Sequence, residues 1–159
     1  MIEAYVGIGS NQGESRAHVL SAFDELARLP DTYVAARSAL YRSAPVDAPG
    51  QADYVNAVAA LDTELSAAQL LDALQGIEQR HGRERPYPNA PRTLDLDLLA
   101  YGDTVLSSPM LTLPHPRMHQ RAFVLRPLLE LDPRFEVPGR GRAADLLAAC
   151  TEQRVVRLD

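Results

Sequence analysis

Residues 94–99 read Leu-Asp-Leu-Asp-Leu-Leu, and this alternation restricts the chain more than any other stretch. In a strand, successive side chains point to opposite faces. Leu94, Leu96 and Leu98 then enter a core, while Asp95 and Asp97 stand together on the other face. Such a strand needs a sheet with one buried side and one side that accepts two adjacent carboxylates. Those carboxylates repel each other unless water screens them or a positive charge sits between them, for which a divalent cation is the usual choice. A solvated face and a cation site are both open readings of this stretch alone.

Periodicity supplies the neighbouring elements. Ile2, Ala4, Val6 and Ile8 alternate with polar or small residues and predict a first strand over 2–8, with Gly9-Ser10-Asn11 turning the chain. Val19, Leu20, Phe23, Leu26 and Ala27 predict a helix over 15–28 that stops before Pro30. A second strand is expected over 32–42, a loop over 43–53 and a third strand over 54–61. Ser66 and Gln69 spell a capping box. Leu70, Leu71, Leu74 and Ile77 form the buried stripe of the helix that follows, and Gly82 is placed to end it in a left-handed conformation. A fourth strand covers 93–101, and Gly102-Asp103 can turn a tight hairpin into 104–106. A proline-rich loop, short helical pieces over 118–131, a helix over 142–150 and a small strand at Val155-Val156 complete the chain. The order strand, helix, strand, strand, helix, strand is the ferredoxin-like plan of the α+β class. It predicts an antiparallel sheet with both helices on one face and the other face left for ligands or for C-terminal helical and strand additions. A length of 159 residues fits one domain, 1–159.

Charge and cysteine usage exclude several classes. A net charge of -5 speaks against general binding to nucleic acid or anionic membranes. Cys150 is the single cysteine, so no internal disulfide or thiolate metal site is available, which suits a reducing compartment. No apolar run approaches the roughly 18 residues a bilayer span requires. Met1-Ile2-Glu3-Ala4-Tyr5 lacks the basic and apolar regions of a signal peptide, so the expected location is the cytoplasm.

Several residue sets suit a polyanionic, heterocyclic ligand. Magnesium prefers hard oxygen donors and keeps waters, which fits Asp95 and Asp97 better than zinc does, since no Cys or His lies at ligand spacing around them. Arg83, Arg85 and Arg92 share the loop that leads into the aspartate strand; they read as phosphate contacts or as a solvated basic loop. His115 is restrained between Pro114 and Pro116 and can donate to a phosphate, or is incidental; Arg121 can reach the same phosphates. Gln75 and Glu78 share a helix face beside the apolar stripe, as nucleoside contacts or as a polar rim. Tyr54 and Asn56 point the same way on the third strand and suit a flat heterocycle that stacks and hydrogen-bonds, with Phe123 closing the slot; taken singly, Tyr54 and Phe123 read as core.

These stretches occur in one ordered series. It runs through Gly9-Ser10-Asn11, Tyr41-Arg42-Ser43-Ala44-Pro45, Asp53-Tyr54-Val55-Asn56-Ala57, Gln75-Gly76-Ile77-Glu78 and Gly82-Arg83. It continues through Pro91-Arg92-Thr93-Leu94-Asp95-Leu96-Asp97, Leu113-Pro114-His115-Pro116 and the stretch from Arg121 to Leu128. The series resembles the 6-hydroxymethyl-7,8-dihydropterin pyrophosphokinase family almost from end to end. That resemblance implies an enzyme of folate biosynthesis that transfers pyrophosphate from ATP to the hydroxymethyl pterin and releases AMP. By the same resemblance Asp95 and Asp97 bind two magnesium ions, and both aspartates, with Arg83 and Arg92, are the catalytic set. Gln75, Glu78, Arg83, Arg92, Leu98, Thr112, His115 and Arg121 match nucleotide-site positions. Ser43, Ala44, Pro45, Val46, Tyr54, Asn56 and Phe123 match the pterin slot. The partners implied are ATP and the pterin alone, with no nucleic acid and no membrane, and a monomer is expected. The chain departs from some members in lacking a tryptophan in the 83–92 loop and in carrying Met110 where they have arginine.

Overall fold

A computed structural model describes residues 1–45, 50–82 and 93–158. Its main sheet is built around β1 (Ile2–Ser10), with β4 (Tyr54–Thr63) and β5 (Asp95–Tyr101) antiparallel on either side. β2 (Thr32–Arg37) and β3 (Tyr41–Ser43) both pair with the outer edge of β4, and β10 (Val155–Arg157) adds to β3. The path β10-β3-β4-β1-β5 contains the ferredoxin-like order predicted from the sequence.

The pleat sorts this sheet into two cores. Ala4, Val6 and Ile8 of β1, Ala57, Ala59 and Leu61 of β4, and Leu94, Leu96 and Leu98 form one buried cluster with α1 (Ser15–Ala27) and α2 (Ala67–Arg80). On the opposite face Tyr5, Val58, Ala60 and Leu99 pack with α3 (Ala122–Leu131) and α4 (Ala143–Ala148). The capping box is present: the Gln69 N–H donates to Ser66 Oγ at 3.1 Å and the Ser66 N–H to Gln69 Oε1 at 2.9 Å. Gly82 follows α2 with φ +74°, the left-handed conformation expected of it. At the same end, Glu25 of α1 accepts from Arg80 Nε at 3.2 Å and from His81 Nε2, which ties the two helices together. Among the described residues no helix is long and apolar enough to cross a membrane.

Three local expectations change. The strand expected over 32–42 is two strands, because Ser38 interrupts the ladder. Its N–H donates to the Val58 carbonyl at 2.9 Å, but the Val58 N–H turns to Ser38 Oγ, also at 2.9 Å, so a side chain replaces the next backbone acceptor. β1 runs through Gly9 and Ser10, which pair with Asn56 and Val55, so the turn begins later than expected. The predicted hairpin at Gly102-Asp103 does not pair back on β5: β6 (Leu106–Ser107) pairs instead with β7 (Thr112–Leu113). The Gly102 N–H donates to the Glu3 carbonyl at 2.7 Å, which directs the chain across the end of β1. Smaller strands β8 (Glu136–Val137) and β9 (Gly141–Arg142) form a separate pair before α4.

The capping box is exposed and lies away from the sheet. Ser66→Ala is therefore expected to lower the unfolding free energy by about 1 kcal/mol, read as a shift of the urea midpoint with an unchanged slope. An unshifted midpoint would contradict the cap's contribution.

Candidate active site

α3 covers only one end of its sheet face. At the other end, three adjacent strands present their side chains in rows: Asn56 of β4, Gly9 of β1 and Asp95 of β5 form one, and Val58, Gly7 and Asp97 the next. The middle strand carries glycine in both rows, so the floor there is bare backbone between two banks of side chains. A Cβ at Gly9 would stand 3.5 Å from Asn56 Oδ1 and 3.5 Å from the Tyr54 ring, filling the space they face. The resulting cleft is lined by Gly7, Gly9, Tyr54, Asn56, Asp95 and Asp97 below and by Ser43, Ala44, Pro45, Gln51, Arg121, Phe123 and Val124 at its walls.

One bank suits a flat heterocycle. Asn56 is buried, and its Nδ2 donates to Ser43 Oγ at 2.7 Å, which orients the amide with Oδ1 toward Gly9. Tyr54 lies on the same face, and Phe123 faces the cleft from the first turn of α3, with the Arg121 guanidinium 5.5 Å from its ring centroid. Asn11 donates to Gln51 Oε1 at 3.0 Å and holds that wall in place.

The other bank is acidic. Asp95 and Asp97 are half-buried on the face opposite Leu94, Leu96 and Leu98, as the alternation predicted. Between them, the Leu96 N–H donates to Glu78 Oε2 at 2.8 Å. β5 is an edge strand, so this carboxylate from α2 does the work that a further strand would otherwise do. Glu78 is 2% exposed, so it does not sit on the polar rim that sequence spacing suggested; Gln75, one turn earlier, is exposed. His115 Nε2 and Arg121 Nη1 each lie 3.9 Å from an Asp97 oxygen, within electrostatic reach but beyond hydrogen-bond length.

His115 has a defined protonation state. Its backbone N–H donates to the Leu99 carbonyl at 2.8 Å and fixes the loop, while its ring Nδ1 accepts from the Arg117 N–H at 3.2 Å. The ring proton therefore sits on Nε2, the nitrogen that faces Asp97. Burial, reinforced by the nearby Arg121 charge and opposed by Asp95, pushes the imidazole pKa down to about 4. At neutral pH His115 is an uncharged N–H donor aimed at the acidic bank.

The donor set bears on a metal. Among the described residues no group of three or more His, Cys, Asp or Glu side chains is arranged to hold an ion alone. Two carboxylates with a wide opening beside them fit a hard cation that keeps water and takes further oxygens from a ligand.

Of the residues singled out in the sequence, Ser43, Ala44, Pro45, Tyr54, Asn56, Asp95, Asp97, Arg121 and Phe123 meet around this cleft. His115 stands behind Asp97. Leu98 is buried in the helix-side core, so its side chain faces away, and Thr112 lies on β7 outside the lining. Val46, Arg83, Arg85 and Arg92 lie outside the described residues. Sequence reasoning missed Gly7 and Gly9. Gly7 lies inside the predicted strand and Gly9, which the sequence places in the following turn, stands two residues on; a glycine within a strand marks a close approach to the backbone.

The chain is similar to known proteins. The family model for 7,8-dihydro-6-hydroxymethylpterin-pyrophosphokinase matches residues 5–133. A 2-amino-4-hydroxy-6-hydroxymethyldihydropteridine pyrophosphokinase of Pseudomonas aeruginosa is 47% identical over 154 residues, covering 97% of this chain and 95% of the relative. The protein of the same name from Haemophilus influenzae is 38% identical over 159 residues, covering 100% and 99%. Among solved structures, an HPPK-DHPS in complex with substrates superimposes with a TM-score of 0.70 at 12% identity, over 93% of this chain and 43% of that one. A wild-type Plasmodium falciparum HPPK-DHPS with pteroate gives 0.72 at 11%, over 93% and 44%. This chain thus spans less than half the length of those two structures, and at such identities they speak for the fold.

The buried Glu78 contact generates a stability prediction. Glu78→Leu leaves the Leu96 N–H without its acceptor and is expected to cost about 2 kcal/mol, whereas Glu78→Gln keeps an acceptor and costs less. Denaturant unfolding of both variants checks this, and equal losses would mean the hydrogen bond is not what matters.

Proposed function

The chain belongs to the 7,8-dihydro-6-hydroxymethylpterin-pyrophosphokinase family, and we propose that its cleft is where that chemistry takes place. The enzyme transfers pyrophosphate from ATP to the hydroxymethyl group of 6-hydroxymethyl-7,8-dihydropterin, releasing AMP, in folate biosynthesis. The observation that carries the reading is the bare glycine floor between an amide-and-aromatic bank and a two-carboxylate bank. Two strand spacings, about 10 Å, separate the banks, so one heterocycle can lie on the first and extend a substituent toward the second.

In this reading Tyr54 and Phe123 flank the pterin ring, and Asn56, held by Ser43, offers its amide oxygen to the ring's N–H groups. The Ser43–Pro45 segment forms the wall at the ring's edge, and by the family's pattern Val46 belongs to the same slot. The triphosphate lies along the acidic bank, where Arg121 and the neutral Nε2–H of His115 donate to its oxygens. By the family's pattern Arg83 and Arg92 join them, and Gln75, Leu98 and Thr112 lie toward the nucleoside. Glu78, in our reading, acts through the backbone of β5, because its carboxylate is engaged by the Leu96 N–H.

Asp95 and Asp97 are the residues that would hold Mg2+, two ions in the family's pattern; bound there, the metal neutralises phosphate charge and acidifies the attacking alcohol. The alcohol oxygen attacks the β-phosphorus, the bond from that phosphorus to the oxygen bridging it to the α-phosphorus breaks, and AMP leaves with that oxygen, its phosphate taking up the proton that the alcohol loses. The chain's part is to align the two substrates and to exclude water. We assign no side-chain general base: the unprotonated nitrogen of His115 is occupied by the Arg117 N–H. We further propose that residues 1–159 act as one pyrophosphokinase domain and as a monomer.

Two substitutions test the banks separately. Asp97→Ala is expected to lower kcat/KM by about 100-fold or more, measured as AMP formed from ATP, Mg2+ and the reduced pterin. Near-parental turnover, or release of inorganic pyrophosphate in place of AMP, would refute the reading. Gly9→Val overfills the floor and should raise the pterin KM about tenfold, with a smaller effect on the ATP KM; a selective rise in the ATP KM would reverse the assignment of the banks.

A further inference from the structure

Arg121 stands at the junction of the 3-10 turn Met118–Gln120 and α3, and its own side chain caps nothing. Its backbone is extended, with φ -117° and ψ 105°. In an extended residue, the preceding carbonyl and the following N–H point to the same side. Both are taken by one side chain from the C-terminal segment. Gln153 Oε1 accepts from the Ala122 N–H at 2.8 Å, and Gln153 Nε2 donates to the Gln120 carbonyl at 2.7 Å. A primary amide carries donor and acceptor side by side, so it pairs with this stretch as a neighbouring strand would. It also satisfies one of the four amide groups that the start of α3 leaves without an intrahelical partner.

Gln153 is itself anchored. Its N–H donates to the Cys150 carbonyl at 3.3 Å, and two residues later β10 pairs with β3, Val155 opposite Ser43. Arg126 of α3 also donates to the Val155 carbonyl. One short segment therefore braces the Ser43 wall through a ladder and the Arg121 wall through an amide. Gln153 is exposed and does not line the cleft.

We propose that Gln153 is a positioning residue: by clamping the backbone on both sides of Arg121, it holds that guanidinium at the acidic bank, 3.9 Å from Asp97. The proposal rests on the pyrophosphokinase reading above. A residue of this kind acts on turnover through Arg121 and contributes little to packing.

The test is Gln153→Met, which keeps the length of the side chain and removes its amide, made in the parent and in an Arg121→Ala background. In the parent, kcat is expected to fall about tenfold, with faster hydrogen exchange at the Ala122 amide. In the Arg121→Ala background the same change should alter kcat by less than about twofold, because residues that act as a unit are not additive. Ser66→Ala serves as a control for loss of stability alone and should leave kcat at the parental value. Equal losses in both backgrounds would overturn the proposal, as would a kcat within about twofold of the parent beside faster Ala122 exchange. A parent chain that forms no AMP would sink the functional reading and this proposal together, whereas a normal parent beside an unaffected Gln153→Met sinks only the proposal.

Discussion

Three neighbouring strands share one pleat, and the site depends on that geometry. Side chains on one face of a sheet stand in rows across the strands. Here the rows read Asn-Gly-Asp and Val-Gly-Asp. Side chains on the central strand would interdigitate with both neighbours and close the surface. Glycine at both positions opens a trough whose banks are chemically different. A slip of β1 by one residue would place Ile8 over the trough and turn both glycines into the helix-side core. The packing of Ala4, Val6 and Ile8 against α1 and α2 opposes that slip, so the opposite face of the sheet maintains the site.

Charge is arranged with the same economy. The chain is acidic overall, yet Asp97 has Arg121 and His115 close by. Keeping His115 neutral matters. An imidazolium would pair with Asp97 and compete for the carboxylate, whereas the neutral ring keeps its N–H and leaves the acidic charge available to a cation. The prolines on either side restrain the backbone, the hydrogen bond from the Arg117 N–H to Nδ1 sets the tautomer, and burial lowers the pKa. Glu78 adds a further carboxylate near the pair but spends it on the Leu96 N–H, and so serves the geometry of β5.

What could be read from the residues was what depends on short periods. The Leu-Asp alternation foretold the faces of β5, and the capping box and Gly82 marked both ends of α2. The order of elements gave the sheet its plan. What could not be read depends on register or on distant partners. Gly7 and Gly9 matter only because β4 and β5 place Asn56 and the aspartates beside them. Glu78 and Gln75 looked equivalent on a helical wheel, but packing against β5 drew one inward. The break at Ser38 required knowing that Val58 would turn to a hydroxyl. Gln153 carried no signal at all, since nothing near it in sequence touches the cleft.

The ferredoxin-like core by itself does not complete this cleft. Its two helices lie on the far face, and the banks on the near face would open to solvent along their length. The upper wall, Arg121 and Phe123, comes from the C-terminal addition, and α3 is also what covers the apolar half of that face. The division between covered and open follows the residues beneath: Tyr5, Val58, Ala60 and Leu99 require burial, while Gly7, Gly9, Asp95 and Asp97 gain nothing from an apolar lid. α3 therefore begins where the apolar surface begins, and its first turn falls at the boundary. A helix placed by burial of one half of the face thus delivers a cation and an aromatic ring to the edge of the other half. The same boundary explains why the start of α3 needs an external brace: its first turn borders a cleft and lacks a capping side chain of its own.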